Sequence, residues 1–308
     1  MSFPAYARSV LGFNLLVILW GAFVRASGSG AGCGQHWPLC NGTVIPQSPA
    51  TTTLIEYGHR TSSGLALVLV VVLWWWSRRE FAPGHRARRA AAVSLALILT
   101  EALIGAGLVL LGLVGKDDSP ARAPYLAIHL LNTFLLLAAL ALTVLWSRYQ
   151  APLQEPGRGA APWLLGIGLL AVLIVGISGA IAALGDTLFP STSLSEGFRA
   201  DADPAAHFLI RLRVLHPVLA LVTGIYLSSL AWLLARVRGA SLEGHYWGRI
   251  LGALVLTQLA LGLTNLLLLA PTFLQIAHLL VADLLWITLV LFSATTLTAP
   301  PGARLDPA

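Results

Sequence analysis

This sequence has little charge. Asp, Glu, Lys and Arg make up only 10% of its 308 residues, against about 25% in ordinary soluble domains. With 57% of residues apolar, that deficit excludes a soluble globular fold and indicates an integral membrane protein. The basic residues are not gathered on one face either. A pI near 9.9 therefore does not imply a nucleic-acid partner; topology and lipid headgroups account for it better. A convincing cleavage site is lacking after the first apolar run, Val10 to about Ala26, which reads as retained. An Arg- and Ser-rich transit segment is lacking too, which favours a bacterial plasma membrane. Cysteine is limited to Cys33 and Cys40. Zinc is disfavoured at the histidine pairs described below, since no Cys, Asp or Glu completes a tetrahedral set with each pair.

What is abundant is long apolar sequence. Eight runs, at roughly 10–27, 60–77, 90–113, 124–146, 163–184, 212–235, 248–270 and 273–296, each approach the ~20 residues needed to cross the hydrocarbon core. With the N-terminus inside, the inner segments carry twelve basic residues: Arg8, Arg78, Arg79, Arg86, Arg88, Arg89, Arg148, Arg158, Arg236, Arg238, Arg249 and Arg304. The outer segments carry seven: Arg25, Arg60, Lys116, Arg122, Arg199, Arg211 and Arg213. The excess predicts both termini in the cytoplasm. Trp74, Trp75 and Trp76 beside Arg78 suit an inner interfacial belt.

The chain repeats itself. Glu101-Ala-Leu-Ile-Gly105 aligns with Gln258-Leu-Ala-Leu-Gly262 at an offset of 157, as His59 does with His216. His129 aligns with His278 at 149, because the polar loop around Lys116–Arg122 has no full counterpart after Ala270. Gly21-Ala22 resembles Gly179-Ala180. Four spans per half predicts an all-α fold of two tandem four-helix bundles in the same orientation, related by a pseudo-twofold axis along the membrane normal. The halves would be residues 1–150 and 163–308, joined by the Pro- and Gly-rich inner linker 151–162.

The repeat carries chemistry. Spans two, four, six and eight each bring one histidine, His59, His129, His216 and His278, to the same side of the membrane. One intramembrane histidine is usually a hydrogen-bonded core residue. Four at matching depth in two pairs are not explained that way, because ionisable groups inside a membrane are costly. Two helices each presenting an imidazole inward can clamp a planar metal macrocycle, and neutral imidazole is a good axial haem ligand. Two haem sites follow. Glu56 lies one turn before His59, on the same helix face. A carboxylate beside a haem edge can take protons or stabilise developing positive charge. The bland alternative is an interfacial carboxylate paired with Arg60 or Arg25. The equivalent position in the second half is Arg213, suited to pairing with a propionate.

The first outer loop, Arg25 to Gly42, holds both cysteines on the oxidising side. A disulfide is the natural expectation, restraining the loop by roughly 2–3 kcal/mol. A redox-active pair exchanging electrons or thiols with an outside partner is the other reading. Cys33, His36 and Cys40 lack a fourth metal ligand, and the spacing is not the C-x-x-C-H haem attachment motif. Glu101 and Asp283 lie within spans and could carry protons, but helix–helix hydrogen bonds are the commoner role. His207 lies in a long outer loop, 185–211, that could form a lid, and reads as solvated. His85 and His245 read as facing solvent on the inner side.

The loop pattern R-x-S-G-x-G-x-x-C-x-x-x-W-P-x-C-x-G, followed by E-x-x-H-R and three more span-mouth histidines, resembles the haem A synthases of the bacterial type with a cysteine pair. The resemblance covers all eight spans. It implies oxidation of the C8 methyl group of haem O to a formyl group, giving haem A for terminal oxidases. It implies that His59 and His129 flank the substrate haem, that His216 and His278 ligate a permanent haem B, that Glu56 is catalytic, and that Cys33 and Cys40 are a redox-linked pair. Haem O would enter sideways from the lipid, with its propionates near Arg25 or Arg60. A haem O synthase would supply it, and the electron acceptor or thiol partner, the oxygen source and any homo-oligomer stay open. The rival readings are a dihaem membrane cytochrome exchanging electrons with quinone, which leaves Glu56 and the cysteine loop unexplained, and a haem transporter.

Overall fold

The computed structural model describes residues 1–47, 49–149, 159–236 and 242–298. Residues 151–158 of the expected linker lie outside the described residues, as do Arg158, Arg238 and Arg304 of the inner basic set. The helices are α1 (Phe3–Ala26), α2 (Thr51–Glu80), α3 (Arg86–Leu110), α4 (Arg122–Trp146), α5 (Ala161–Leu188), α6 (Leu194–Ala202), α7 (Phe208–Arg213), α8 (Leu215–Arg236), α9 (Leu242–Leu267) and α10 (Thr272–Thr296). Among the described residues, eight segments are long and apolar enough to span a membrane, with α7 and α8 counting together as Phe208–Leu234. The fold is an all-α, multi-pass membrane protein. Large apolar side chains such as Leu16, Val68, Leu103, Ile167, Val222 and Leu256 stand exposed on its outside. So much apolar surface is stable only against lipid.

In the first half α1 packs on α2, α2 on α3, α3 on α4 and α4 back on α1; in the second, α5, α8, α9 and α10 close a ring in the same way. The halves meet where α1 and α4 pack against α5 and α10. There Phe134 of α4 stacks on Trp286 of α10 with centroids 5.4 Å apart, and the Trp286 indole N–H donates to the Phe134 carbonyl at 2.6 Å. Gly176 of α5 lies against the same phenyl ring, where a Cβ would come within 2.8 Å of it. At the outer end, Arg25 of α1 donates to the Ala183 carbonyl (2.8 Å), the Thr187 hydroxyl (2.6 Å) and the Gln275 side chain (2.8 Å), tying α1 to α5 and α10.

Helix ends differ from the apolar runs for physical reasons. The second run begins near residue 60, but α2 begins at Thr51. Its first turns hold Thr51, Thr52, Thr53 and Glu56, so hydropathy alone does not reveal them. The first outer loop packs on this polar turn. Gly32 lies so flat against it that a Cβ would come within 2.5 Å of the Thr52 carbonyl oxygen. Glu56 and His59 are therefore well inside a helix and not at a fraying end. The short connection after α9 is turned by left-handed backbone at Leu269 (φ 59°) and Ala270 (φ 54°), a conformation rare outside glycine. The outer segment after α5 is not one long loop. It contains α6 and α7, and His207 caps α7 by accepting from the Leu209 N–H at 3.4 Å, with its ring against Phe189 and Phe208. His85 likewise caps α3, accepting from the Ala87 N–H at 3.2 Å, and stacks on Phe81. Both histidines are half-buried, and capping a helix adds a structural role to the solvent-facing one expected for them.

Candidate functional site

Each of the four span histidines has a neighbouring helix against it, and three of them lie on a glycine. Gly21 of α1 faces His59 of α2, where a Cβ would fall 3.0 Å from the ring. Gly179 of α5 faces His216 of α8 in the same way at 2.9 Å. Gly262 of α9 faces His278 of α10 at 3.2 Å. These glycines let an imidazole lie directly on a helix backbone. Their repeat spacing was visible in the sequence, but their pairing with histidines needed the packing of two helices.

The polar partners repeat as well. Glu101 of α3 lies 3.3 Å from His129 Nδ1, and Gln258 of α9, its counterpart, lies 3.2 Å from His278 Nε2. The Glu101 contact has ion-pair distance but not hydrogen-bond geometry, since His129 Nδ1 has no hydrogen-bond partner. Glu101 also accepts from Asn132 at 2.5 Å and from the Thr133 hydroxyl, so it makes the helix–helix bonds expected of it. Ser178 and His216 Nδ1 are 3.1 Å apart. Tyr6 donates to the Leu69 carbonyl at 2.9 Å, and at the matching place in the second half Tyr226 donates to the Leu164 carbonyl at 2.8 Å. The tyrosine has changed helices while the contact has stayed.

His216 and His278 face each other with ring centroids 6.3 Å apart and planes at 88°. His59 and His129 are near enough to interact electrostatically. Among the described residues, His59 Nδ1, His129 Nδ1 and His278 Nδ1 are buried without a hydrogen-bond partner. An unpaired buried polar atom costs about 1–3 kcal/mol, so three such atoms on the span histidines suit rings built to hold a metal group. Two imidazoles bound to one metal at ~2 Å each, with centroids ~1 Å behind the nitrogens, would have centroids roughly 6 Å apart. The His216–His278 pair fits a haem by this ring spacing.

Glu56 is buried, at 3% exposure. Its Oε2 accepts the Cys33 N–H at 2.8 Å, and its Oε1 accepts from Arg60 Nε (3.1 Å) and Nη2 (2.5 Å). Arg60 Nη1 donates to the carbonyls of His36 and, at 2.6 Å, Leu39. Cys33 and Cys40 are joined in a disulfide. At the counterpart position Arg213 is held by Asp186 (3.2 Å) and Asp201 (2.6 Å), and reaches the Gly197 carbonyl at 3.3 Å. Both halves thus fasten an outer segment to the residue three before the first histidine, with opposite polarity. Asp283 is fully buried on α10, and neither oxygen has a hydrogen-bond partner among the described residues. Two surface clefts, one of about 260 Å³ beside Asn41, Gln47 and Thr53 and one of about 490 Å³ beside Ser228 and Trp232, include none of the histidines.

Comparison with known proteins gives the kinship. A "Protoheme IX farnesyltransferase" of Thermus thermophilus is 47% identical over 292 residues, covering 95% of this chain and 48% of that protein. The chain spans about half the length of such relatives. A "Heme A synthase" of Shouchella clausii is 44% identical over 98 residues, 32% of this chain and 33% of that protein. Another, of Alkalihalophilus pseudofirmus, is 41% identical over 98 residues, again 32% of this chain and 33% of that protein. The profile of one family matches residues 5–290, nearly the whole eight-span fold with all four histidines, Glu56 and the disulfide. The chain belongs to the COX15-CtaA family of cytochrome oxidase assembly proteins.

Proposed function

We propose that this chain is a haem A synthase. It converts the C8 methyl group of haem O to the formyl group of haem A. One observation carries the reading: two repeat-related histidine pairs, of which one has the buried carboxylate Glu56 three residues before its first histidine, where the other has Arg213. Written with water as the oxygen source, the change of a methyl to a formyl group releases four electrons and four protons. In this reading residues 1–150 form the substrate half, with His59 and His129 on either side of haem O and Glu56 receiving protons or steadying positive charge near the reacting carbon. Residues 163–308 form the redox half, where His216 and His278 hold haem B and a haem so ligated supplies one-electron chemistry. The halves are tandem four-helix bundles about a pseudo-twofold axis, supported by the matched contacts of His59 and His216, Glu101 and Gln258, and Tyr6 and Tyr226. The membrane is the bacterial plasma membrane, with both termini cytoplasmic.

The outer arginines are committed within the protein, Arg25 between halves, Arg60 to Glu56 and Arg213 to two aspartates. A propionate contact by any of them therefore requires sharing or exchanging these partners. The Thermus relatives carry a farnesyltransferase name over a polypeptide of which this chain matches 48%. We assign that activity to the other half of those proteins, and take a farnesyltransferase as the supplier of haem O. Pigment extraction from the purified protein tests the whole reading. Haem O or haem A alongside haem B is expected. Haem B alone would support the dihaem electron carrier, and formation of haem O from protohaem and a farnesyl donor by this chain would overturn the division of labour.

A further inference from the structure

We propose that Arg60 is a positioning residue: its guanidinium holds the Glu56 carboxylate and the backbone between the two cysteines as one unit, so that the Cys33–Cys40 ring sets where Glu56 lies. The inference rests on reading Glu56 as the reacting carboxylate. Arg60 follows Glu56 by four residues, one turn along α2, and its side chain is only 12% exposed. Four of the five N–H donors of a guanidinium are engaged. Two meet Glu56 Oε1, and two meet the carbonyls of His36 and Leu39, both of which lie between the cysteines. The other carboxylate oxygen accepts from the Cys33 backbone N–H itself. Both oxygens of Glu56 thus terminate on the disulfide loop, one directly and one through Arg60.

The rest of the loop is anchored so that this tie transmits position. Gly32 lies flat on the first turn of α2. Its carbonyl accepts from the Thr53 hydroxyl at 2.8 Å and from the Asn41 side chain at 3.2 Å. The Asn41 N–H closes the loop on the Cys33 carbonyl at 2.9 Å. The planar fork of arginine meets a carboxylate and two carbonyls at once. A lysine ammonium is a point charge and keeps fewer of these contacts. A dithiol that reduces the bridge gives two electrons and two protons, leaves two cysteine thiols and becomes a disulfide itself. That exchange opens the covalent ring that shapes the carbonyls Arg60 grips. Reduction and loss of the guanidinium therefore disturb Glu56 by the same route.

Amide hydrogen exchange on the purified 308-residue chain in detergent micelles reads this directly, with haem A formation measured in parallel. In the oxidised wild type the Cys33 amide is protected. Arg60→Gln should speed its exchange about tenfold, as expected when a hydrogen bond to a charged group loses its support. Arg60→Lys should fall between, and dithiothreitol should speed exchange in the wild type but add little to Arg60→Gln. Turnover of Arg60→Gln should fall roughly 10–100-fold with KM nearly unchanged, the pattern of a misplaced catalytic group. Unchanged Cys33 protection in both Arg60 variants, or fully additive effects of reduction and Arg60→Gln, overturns the proposal. Normal haem A output from Glu56→Gln, with Cys33 exchange still answering to Arg60, instead overturns the catalytic reading of Glu56 and leaves the tie standing.

Discussion

Glu56 decides between an enzyme and an electron carrier. Its carboxylate is buried and paired, and removing one partner of such a pair costs about 3–5 kcal/mol. Glu56→Ala therefore confounds folding with chemistry. Glu56→Gln keeps an acceptor for the Cys33 N–H and removes the charge and the base. The expected outcome is a folded protein with normal haem B that accumulates haem O or its alcohol and makes about 10²–10⁴-fold less haem A, the usual worth of general acid–base help. Extracted pigments show this by chromatography. Haem A at wild-type levels would reduce Glu56 to the fastener of the outer loop, the role Arg213 has in the other half. The sequence showed Glu56, its turn of separation from His59 and even Arg60 as a partner for it. It could not show the Cys33 N–H on the second oxygen, because that bond joins residues 23 apart across a loop whose path is set by packing on α2.

At the scale of helices, the glycines facing the histidines make the sharpest test. In Gly179→Ala the new methyl would sit 2.9 Å from the His216 ring, inside contact distance, so the ring or the helix must shift. Gly166 of the same helix has open space at its Cβ position. Gly166→Ala should leave haem content unchanged, whereas Gly179→Ala should keep its helix content and lose most of its low-spin haem absorption. Equal haem spectra from the two variants would show that the close approach of α5 does not position His216. The repeat of Gly21 and Gly179 was plain in the sequence as a pattern of small residues. Which atoms those small residues make room for depends on how α1 meets α2 and α5 meets α8, and a one-dimensional pattern carries no crossing geometry.

For the whole molecule, the arrangement across the membrane makes the test. The disulfide loop, Glu56, Arg60, Arg213 and the loop of α6 and α7 all lie at one end of the helices, and the basic cluster Arg78, Arg79, Arg86, Arg88 and Arg89 lies at the other. Arg78 and Arg79 stack over Trp74 and Trp75, as suits a membrane interface. After reduction, a membrane-impermeant thiol reagent should label Cys33 and Cys40 in intact cells. Labelling only in inverted vesicles would reverse the topology.

The sequence by itself determined the medium and the number of spans, and it showed the internal repeat and the four span histidines. Each of these follows from local composition or from a spacing along the chain. Scarce charge demands lipid, ~20 apolar residues demand a span, and four histidines each near the start of an even-numbered span demand matched depth. Only the tertiary structure decided who touches whom: Arg25 bridging the halves, Trp286 capping the Phe134 carbonyl, glycines backing three imidazoles, and the disulfide loop closing on Glu56 through Arg60. Those contacts join residues far apart in the chain, and the polar ones exist because buried donors and acceptors have no water to turn to and must find each other.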